Sequence, residues 1–164
     1  MCPGYRVGPI KAAQVDAAYV LVSRLIPQLD ADRWRACCRD SIGGTPAQRD
    51  RAEVAVATNI PGYVRGFAVA APLEHLSLGR ILDVGLFGVI SAADERGVAG
   101  DLLDYLRRQG RASGCVGLRV WVVGDSGGLE SLLDPAAVGS GRGFFIRLDR
   151  NAGPASAPAA VTCR

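Results

Sequence analysis

The sequence predicts an α+β fold in which one mixed, mostly antiparallel central sheet carries helices on both faces. Three observations predict it. Two segments near the N-terminus repeat apolar residues at helical spacing, an alternating β-hairpin follows them, and a third helical segment separates two further strand-like runs. With 164 residues, 49% hydrophobic and 21% charged, the chain is expected to form a single domain over residues 1–150 and an Ala/Pro-rich flexible tail over residues 151–164.

The individual elements follow from local signals. Apolar residues recur at helical spacing from Val15 to Ile26, where Pro27 ends the first helix, and Trp34 is the large apolar residue of the second, with Asp30 or Asp32 as its cap. EVAVAT and YVRGFAVAA alternate as strands around a turn-forming NIPG. The expected strands are 5–7, 53–58, 63–71, 80–90, 117–123 and 143–149, and the expected helices are 14–26, 32–42, one within 94–114 and a short turn at 129–133.

Charge and cysteine content exclude several classes of function. The net charge of +3 comes from 19 Lys and Arg against 16 Asp and Glu, and the arginines are scattered, so no nucleic-acid partner is predicted. No long apolar run follows a basic start, which predicts no signal peptide, no membrane partner and a cytoplasmic protein. The five cysteines lack C-x-x-C spacing, so neither a disulfide framework nor a metal site is expected.

A glycine-rich helix start is the strongest functional signal. The segment RGVAG, Arg96 to Gly100, opens the third helix, although a glycine in a helix interior costs about 1 kcal/mol relative to alanine. The first amides of a helix have no partner within it and carry a partial positive charge, so small residues there would let a phosphate approach. Close packing of the helix on the sheet is the alternative explanation.

The segment DERGVA, Asp94 to Ala99, resembles the RxxGxG or QxxGxA pyrophosphate signature of the GNAT acyltransferase superfamily, and RGVAGDLL resembles the family's helix opening before paired leucines. The order of elements from Tyr5 to Val123 is similar as well, including the glycines Gly85 and Gly88 inside the fourth strand. The resemblance implies a GNAT-like domain that uses acetyl-CoA or another acyl-CoA as co-substrate, without a metal, and acylates an amine by direct attack.

The resemblance also implies which residues would bind the cofactor. Backbone amides of the helix start would hold the pyrophosphate, and the end of the fourth strand would pair with the pantetheine arm. A bulge at Gly88 would splay the fourth strand from the fifth and direct a backbone amide at the thioester carbonyl. The implied pyrophosphate residues are Arg96, Gly97, Val98, Ala99, Gly100 and Asp101, and the implied pantetheine residues are Val89, Ile90 and Ser91.

Two departures from the family pattern concern the chemistry. Asp94 stands where the signature has Gln or Arg, and the segment after the fifth strand lacks the family's tyrosine, which can protonate the leaving thiolate. Ser126, Ser131 or water would be left to take its place, if anything does. For the base that deprotonates the amine, the candidates lie on or between the third and fourth strands, near the acceptor site that the resemblance implies. They are Asp83, Glu74 and His75, each with a solvated or ion-paired surface position as the alternative.

Two other functions are left open by the sequence. A CoA-binding sensor or interaction module without transfer chemistry fits the same motif. GDSGG, Gly124 to Gly128, resembles the nucleophile region of chymotrypsin-like proteases, with His75, Asp83 and Ser126 in the required order, but the residues around His75 lack the expected pattern. The acceptor is expected to be a small-molecule amine or a protein or peptide amine, and a homodimer is the assembly considered.

Overall fold

The computed structural model describes residues 4–44, 50–124, 129, 132–133, 138–140 and 143–148. In these residues the chain forms one sheet of seven strands in the order β1-β2-β3-β4-β5-β7-β6, in which β4 and β5 are parallel and the other neighbours antiparallel. The strands are β1 Arg6–Pro9, β2 Glu53–Thr58, β3 Val64–His75, β4 Gly79–Val89, β5 Gly117–Val122, β6 Val138–Ser140 and β7 Gly143–Arg147. The helices are α1 Val15–Leu25, α2 Ala31–Ile42 and α3 Glu95–Ala112, with a 3₁₀ turn at Ala12–Gln14. The predicted fold class is confirmed.

The two faces of the sheet carry separate cores, because successive side chains of a strand point to opposite faces. The small residues of β2 and β3 face α3, and the larger ones face α1 and α2. A Cβ atom at Gly66 in β3 would lie 2.8 Å from side-chain atoms of both Val98 and Leu102, so the first half of α3 packs directly on this strip. The small residues of the α3 core are Ala55, Ala57, Ala68 and Ala70, and the larger ones of the opposite core are Val54, Val56 and Phe67.

Trp34 joins α1 and α2 to the sheet and is 1% exposed. Its indole N–H donates to the carbonyl of Val15 at 2.9 Å, and its ring meets Phe67 of β3 edge-on, with 5.9 Å between the centroids. The cap of α2 is Asp30, whose carboxylate accepts a hydrogen bond from the Arg33 amide at 2.8 Å. The structure therefore selects Asp30 over Asp32 as the cap.

The irregularity in β4 lies at Gly85. Val84 pairs with Ala70 and Leu86 pairs with Val69, which leaves Gly85 as the extra residue of β4 against β3. The register of β4 against β5 shifts in the same place, after Val84. An extra residue of this kind bends a strand and increases its local twist.

The predicted bulge at Gly88 is wrong. Gly88 pairs regularly with Phe67 of β3, and its lack of a side chain serves packing instead. A Cβ atom at Gly88 would lie 2.7 Å from Leu25 of α1 and 2.7 Å from the Phe67 ring. The two glycines of β4 therefore have different roles. Gly85 forms the bulge, and Gly88 allows the close approach of α1.

Two further differences from the predicted elements are found. β3 continues to His75, four residues beyond its predicted end, and pairs with β4 as far as Gly79. The short strand β6 is an addition to the predicted elements. Trp121 of β5 is 44% exposed, with its ring over Gly143 of β7.

Candidate functional site

β4 and β5 separate at the end of β4, and this gap is the first part of the site. The Ile90 amide donates to the Arg65 carbonyl of β3 at 2.9 Å, so the neighbouring residue, Val89, presents its amide toward β5. The Val123 amide donates to the Phe87 carbonyl at 2.9 Å, and in the described residues this is the last backbone bond between β4 and the β5 chain. The Val89 amide therefore points into the gap.

Leu25 of α1 forms an apolar wall beside the gap. One of its methyl groups lies 2.7 Å from the position of a Cβ atom at Gly88, and the other lies 2.6 Å from that position at Gly124. Gly124, two residues after the end of β5, has φ of +83°, a backbone conformation that residues with a side chain disfavour. The gap is thus bordered by two glycines that let α1 approach it closely.

The connection from β4 to α3 is built by two consecutive side-chain caps. The Ser91 hydroxyl, in a side chain only 7% exposed, accepts a hydrogen bond from the Asp94 amide at 3.2 Å. The Asp94 carboxylate in turn accepts from the Gly97 amide at 2.8 Å and is the N-cap of α3. A Cβ atom at Gly97 would lie 2.0 Å from Asp94 Oδ2, so the glycine makes room for this carboxylate. A negative group of the protein therefore occupies part of the predicted phosphate position.

Two backbone amides at the start of α3 are left for an external anion. Glu95 and Arg96 hold the first two positions of the helix, where an amide has no acceptor within the helix. The Val98 amide already donates to the Asp94 carbonyl, at 3.3 Å. The amides of later residues belong to the interior of the helix, and these include Ala99, Gly100 and Asp101.

The side chains of α3 divide by face. Val98 and Ala99 are buried in the core beneath the helix, whereas Arg96 is exposed at the helix start. Burial raises the pKa of the Asp101 carboxyl, which also accepts a hydrogen bond from the backbone of Tyr5. Arg96 is therefore the cationic side chain available beside the two terminal amides.

Glu74 and His75 lie at the opposite end of the sheet from the gap between β4 and β5. Glu74 pairs with Arg80 across the β3–β4 hairpin, 3.1 Å from carboxylate to guanidinium, and the His75 ring contacts Ser77 in the turn. Gly79 opposes His75, and the ten residues from there to Val89 span about 33 Å at 3.3 Å per residue. The unpredicted length of β3 is the physical reason.

Asp83 lies on β4 in an ion pair. Its carboxylate accepts from Nε of Arg119 on β5 at 2.8 Å, and this hydrogen bond raises the pKa of the Arg119 guanidinium. Asp83 precedes Phe87 by four residues, a distance of about 13 Å along the strand. A direct proton transfer needs a separation of about 3 Å, so Asp83 does not reach an amine at the gap without intervening water.

The remaining candidate residues give no alternative chemistry in the described part of the chain. Ser126 and Ser131 lie outside the described residues, as does GDSGG after its first glycine. Within the described ranges, no group of three or more His, Cys, Asp or Glu side chains is placed to hold a metal ion. Burial raises the pKa of the Cys38 thiol to about 12, which leaves it protonated and unreactive at neutral pH.

The role of Asp94 as a helix cap is the feature that sequence reasoning missed. It was interpreted as a departure from a ligand-binding signature, although Asp directly before a helix is a strong capping signal. Ser91 three residues earlier and Gly97 three residues later complete the pattern S-x-x-D-x-x-G. That spacing would have predicted the two consecutive caps.

Comparison with solved structures identifies similar folds, and three of them, each of low sequence identity, are described here. A ribosomal-protein-alanine N-acetyltransferase from Brucella melitensis biovar Abortus 2308 is 18% identical with a TM-score of 0.61, covering 84% of this chain and 96% of that one. A glucosamine-6-phosphate N-acetyltransferase from Arabidopsis thaliana is 8% identical with a TM-score of 0.60 and the same coverage. The aminoglycoside N-acetyltransferase AAC(6')-Iy, bound to a CoA bisubstrate analogue, is 17% identical with a TM-score of 0.60, covering 78% and 84%.

Sequence comparison adds no closer relative. No protein-family model matches the chain, and no curated protein sequence matches it. Among the described helices, none has the length and apolar character needed to cross a membrane. The likeness to the three acetyltransferases therefore rests on the arrangement of strands and helices.

Proposed function

Because the chain has the fold of the GNAT N-acetyltransferases, we propose that it binds acetyl-CoA or another acyl-CoA and transfers the acyl group to an amine. The observation that carries this proposal is the separation of β4 from β5, which leaves the Val89 amide directed into the gap. A backbone amide held in this way stabilises negative charge on the carbonyl oxygen of a thioester.

We assign the cofactor to two places on the chain. The pantetheine arm lies along the end of β4, where the Val89 amide faces the gap and the Ile90 amide does not, because the latter already bonds to β3. The pyrophosphate lies at the start of α3, on the amides of Glu95 and Arg96 with the Arg96 side chain beside it. Of the six pyrophosphate residues that the resemblance implies, this assignment keeps Arg96, and it adds the amide of Glu95.

The transfer step requires little from side chains. The lone pair of the unprotonated amine attacks the thioester carbon, and the carbonyl oxygen becomes an oxyanion that accepts a hydrogen bond from the Val89 amide. The carbon–sulfur bond then breaks and CoA leaves as its thiolate, while the nitrogen gives its extra proton to water, which can return a proton to the thiolate. The acceptor is a primary amine, because the names of the three similar enzymes include an aminoglycoside, an alanine and an amino sugar phosphate.

A CoA-binding module without turnover is the second candidate, and the position of Asp83 favours it. In the described residues, Asp83 is the closest of the candidate bases to the gap along β4, and it is held by Arg119. Binding of CoA without chemistry fits this observation.

Calorimetric titration with CoA and a thiol-release assay with acetyl-CoA over a panel of primary amines distinguish the two functions. We expect CoA to bind and at least one amine to stimulate thiol release. Binding without release for any amine would favour the module. Absence of binding to CoA and to acetyl-CoA would overturn both functions.

Replacing Asp94 by asparagine is expected to tighten CoA binding about fivefold. Two unit charges 4 Å apart repel by about 1 kcal/mol in water, and a factor of ten corresponds to about 1.4 kcal/mol. Asparagine is as good an N-cap as aspartate, so α3 keeps its start. The measurement is the Kd for CoA by calorimetry at low salt, and the gain should shrink as the ionic strength rises.

Asp104→Asn is the matched control for this change. Asp104 is an exposed residue of α3 that pairs with Arg107, ten residues after Asp94 and about 15 Å further along the helix. The control removes the same charge beyond the screening distance, so it should leave the CoA affinity unchanged within about twofold. Equal affinities of the two variants would mean that the pyrophosphate does not bind at the start of α3.

A further inference from the structure

We propose that a cavity between the sheet and the second half of α3 is a separate small-molecule site, which binds an amphipathic cation through Glu53. The cavity has a volume of about 440 Å³. Cavities that bind small molecules typically measure about 300–1,000 Å³ and combine an apolar lining with a few polar groups. The lining of this cavity likewise combines apolar side chains with a few polar and charged ones.

The cavity is remote from the gap between β4 and β5. Leu82 lines the cavity, and the seven residues from Leu82 to Val89 span about 23 Å along β4. The cavity and the proposed pyrophosphate position also lie at opposite ends of α3. Gln109 and Ser113 line the cavity near the end of this helix, and the pyrophosphate position is at its start. A ligand in the cavity is therefore neither the acyl donor nor the acceptor.

The apolar lining comes from the small residues of the sheet. Ala55 and Ala70 form the floor together with Leu82, and Leu106 of α3 lies opposite them. The first half of α3 packs directly on Gly66, whereas the second half faces this alanine floor with room between them. The space accepts a flat apolar group.

Glu53 supplies the charge. It is half-buried at the start of β2, directly opposite Ala70 in the β2–β3 register, and is the one carboxylate among the described residues that line the cavity. The hydroxyl of the buried Tyr105 donates to Glu53 Oε1 at 2.5 Å and orients the carboxylate. Because a carboxylate offers about four acceptor positions on two oxygens, this bond leaves it able to accept from the N–H groups of a cation.

The cavity is lined by a basic residue as well as by Glu53, so either an anionic or a cationic ligand has to be considered. Arg51 also lines the cavity, and its guanidinium lies beside Gly44, with a nitrogen 3.1 Å from the position of a Cβ atom there. Glu53 rises from the floor beside the alanines and is fixed by Tyr105, so we assign the charged end of the ligand to Glu53. An anionic probe tests the opposite assignment.

The test uses benzamidine, a planar amidinium with an apolar ring, on the full chain with ¹³C-labelled alanine methyl groups. We expect the methyl signals of Ala55 and Ala70 to shift and calorimetry to give a Kd at least tenfold lower than for neutral benzamide. Benzoate, with the same ring and a negative charge, should not bind. Preferential binding of benzoate, or benzamidine shifts confined to other alanines, would overturn the proposal.

Variants distinguish the contribution of Glu53 to benzamidine binding from the effect of removing a negative charge elsewhere on the protein. Glu53→Gln keeps an acceptor for Tyr105 and should weaken benzamidine at least tenfold, whereas Glu74→Gln, an exposed carboxylate on β3, should change it less than twofold. Ala70→Leu fills the floor and should abolish binding even if Glu53→Gln does not fold. The CoA affinity of the wild-type protein, measured with and without benzamidine, should be unchanged, so this test does not depend on the proposed acyl transfer.

Discussion

Replacing Trp34 by alanine is expected to lower the free energy of unfolding by about 4 kcal/mol, within the range for large-to-small changes of a buried aromatic residue. The side chain is 1% exposed, fills the space between α2 and β3, and makes the hydrogen bond to Val15 that ties α2 to α1. In a protein of this length about 1 kcal/mol shifts Tm by 2–4 °C, so the expected fall in Tm is about 8–16 °C.

Two control variants distinguish the stability lost with the buried packing of Trp34 from the stability lost on removing any tryptophan side chain. Trp121→Ala removes the same side chain from a position that is 44% exposed and should cost about 1 kcal/mol. Trp34→Phe keeps a ring against Phe67 but loses the indole N–H, and should cost about 1–2 kcal/mol. The measurement is thermal and urea unfolding followed by circular dichroism. Equal losses for Trp34→Ala and Trp121→Ala would contradict the described packing of α1 and α2 on the sheet.

The fold was predictable because its elements are consistent with local signals. Alternation in EVAVAT and YVRGFAVAA places valines on one face and alanines on the other, and the structure puts these sets into two different cores. The helices were predicted from spacing alone, and Asp30 was one of two proposed caps for α2. Periodicity of this kind depends only on the geometry of a strand or a helix.

The site was less predictable because it depends on lengths and registers. The extension of β3 to His75 moves Glu74 and His75 to the far end of the sheet, and the length of a strand depends on its pairing with β4. Two glycines in β4 suggest a bulge, but only the pairing with β3 assigns it to Gly85 and gives Gly88 to the packing of α1. Trp121 is exposed for a similar reason, since its burial depends on what covers that face of the sheet.

The two parts of the candidate site share one property, which is that backbone groups form them. The gap presents the Val89 amide, and the start of α3 presents the amides of Glu95 and Arg96. Of the candidate bases singled out from the sequence, Asp83 is paired on β4, and Glu74 and His75 are located at the other end of the hairpin. A substitution that removes a backbone amide is therefore the most direct way to test the proposed chemistry.

Val89→Pro is that substitution, and it is expected to lower kcat of the proposed acyl transfer by about 10²–10³-fold, the usual effect of removing one oxyanion donor. Proline lacks the N–H that points into the gap. The ladder between β3 and β4 does not use this N–H, because Ile90 and not Val89 donates to Arg65. Proline is accepted in a strand where its missing N–H faces away from the neighbouring strand, so the variant should fold. The measurement is the rate of thiol release with the amine that the wild-type protein prefers.

Val89→Ala is the matched control for this variant, because it changes the side chain and keeps the backbone amide. We expect kcat of Val89→Ala to stay within about threefold of the wild-type value, and both variants to keep the CoA affinity, since the amide acts on charge that develops in the transition state. Ile90→Pro removes a bond of the ladder instead and should reduce stability. A Val89→Pro variant that folds, binds CoA and retains the kcat of Val89→Ala would show that the Val89 amide plays no part in the reaction. Loss of kcat in both variants would instead assign the effect to the valine side chain, which packs against the core beneath α3.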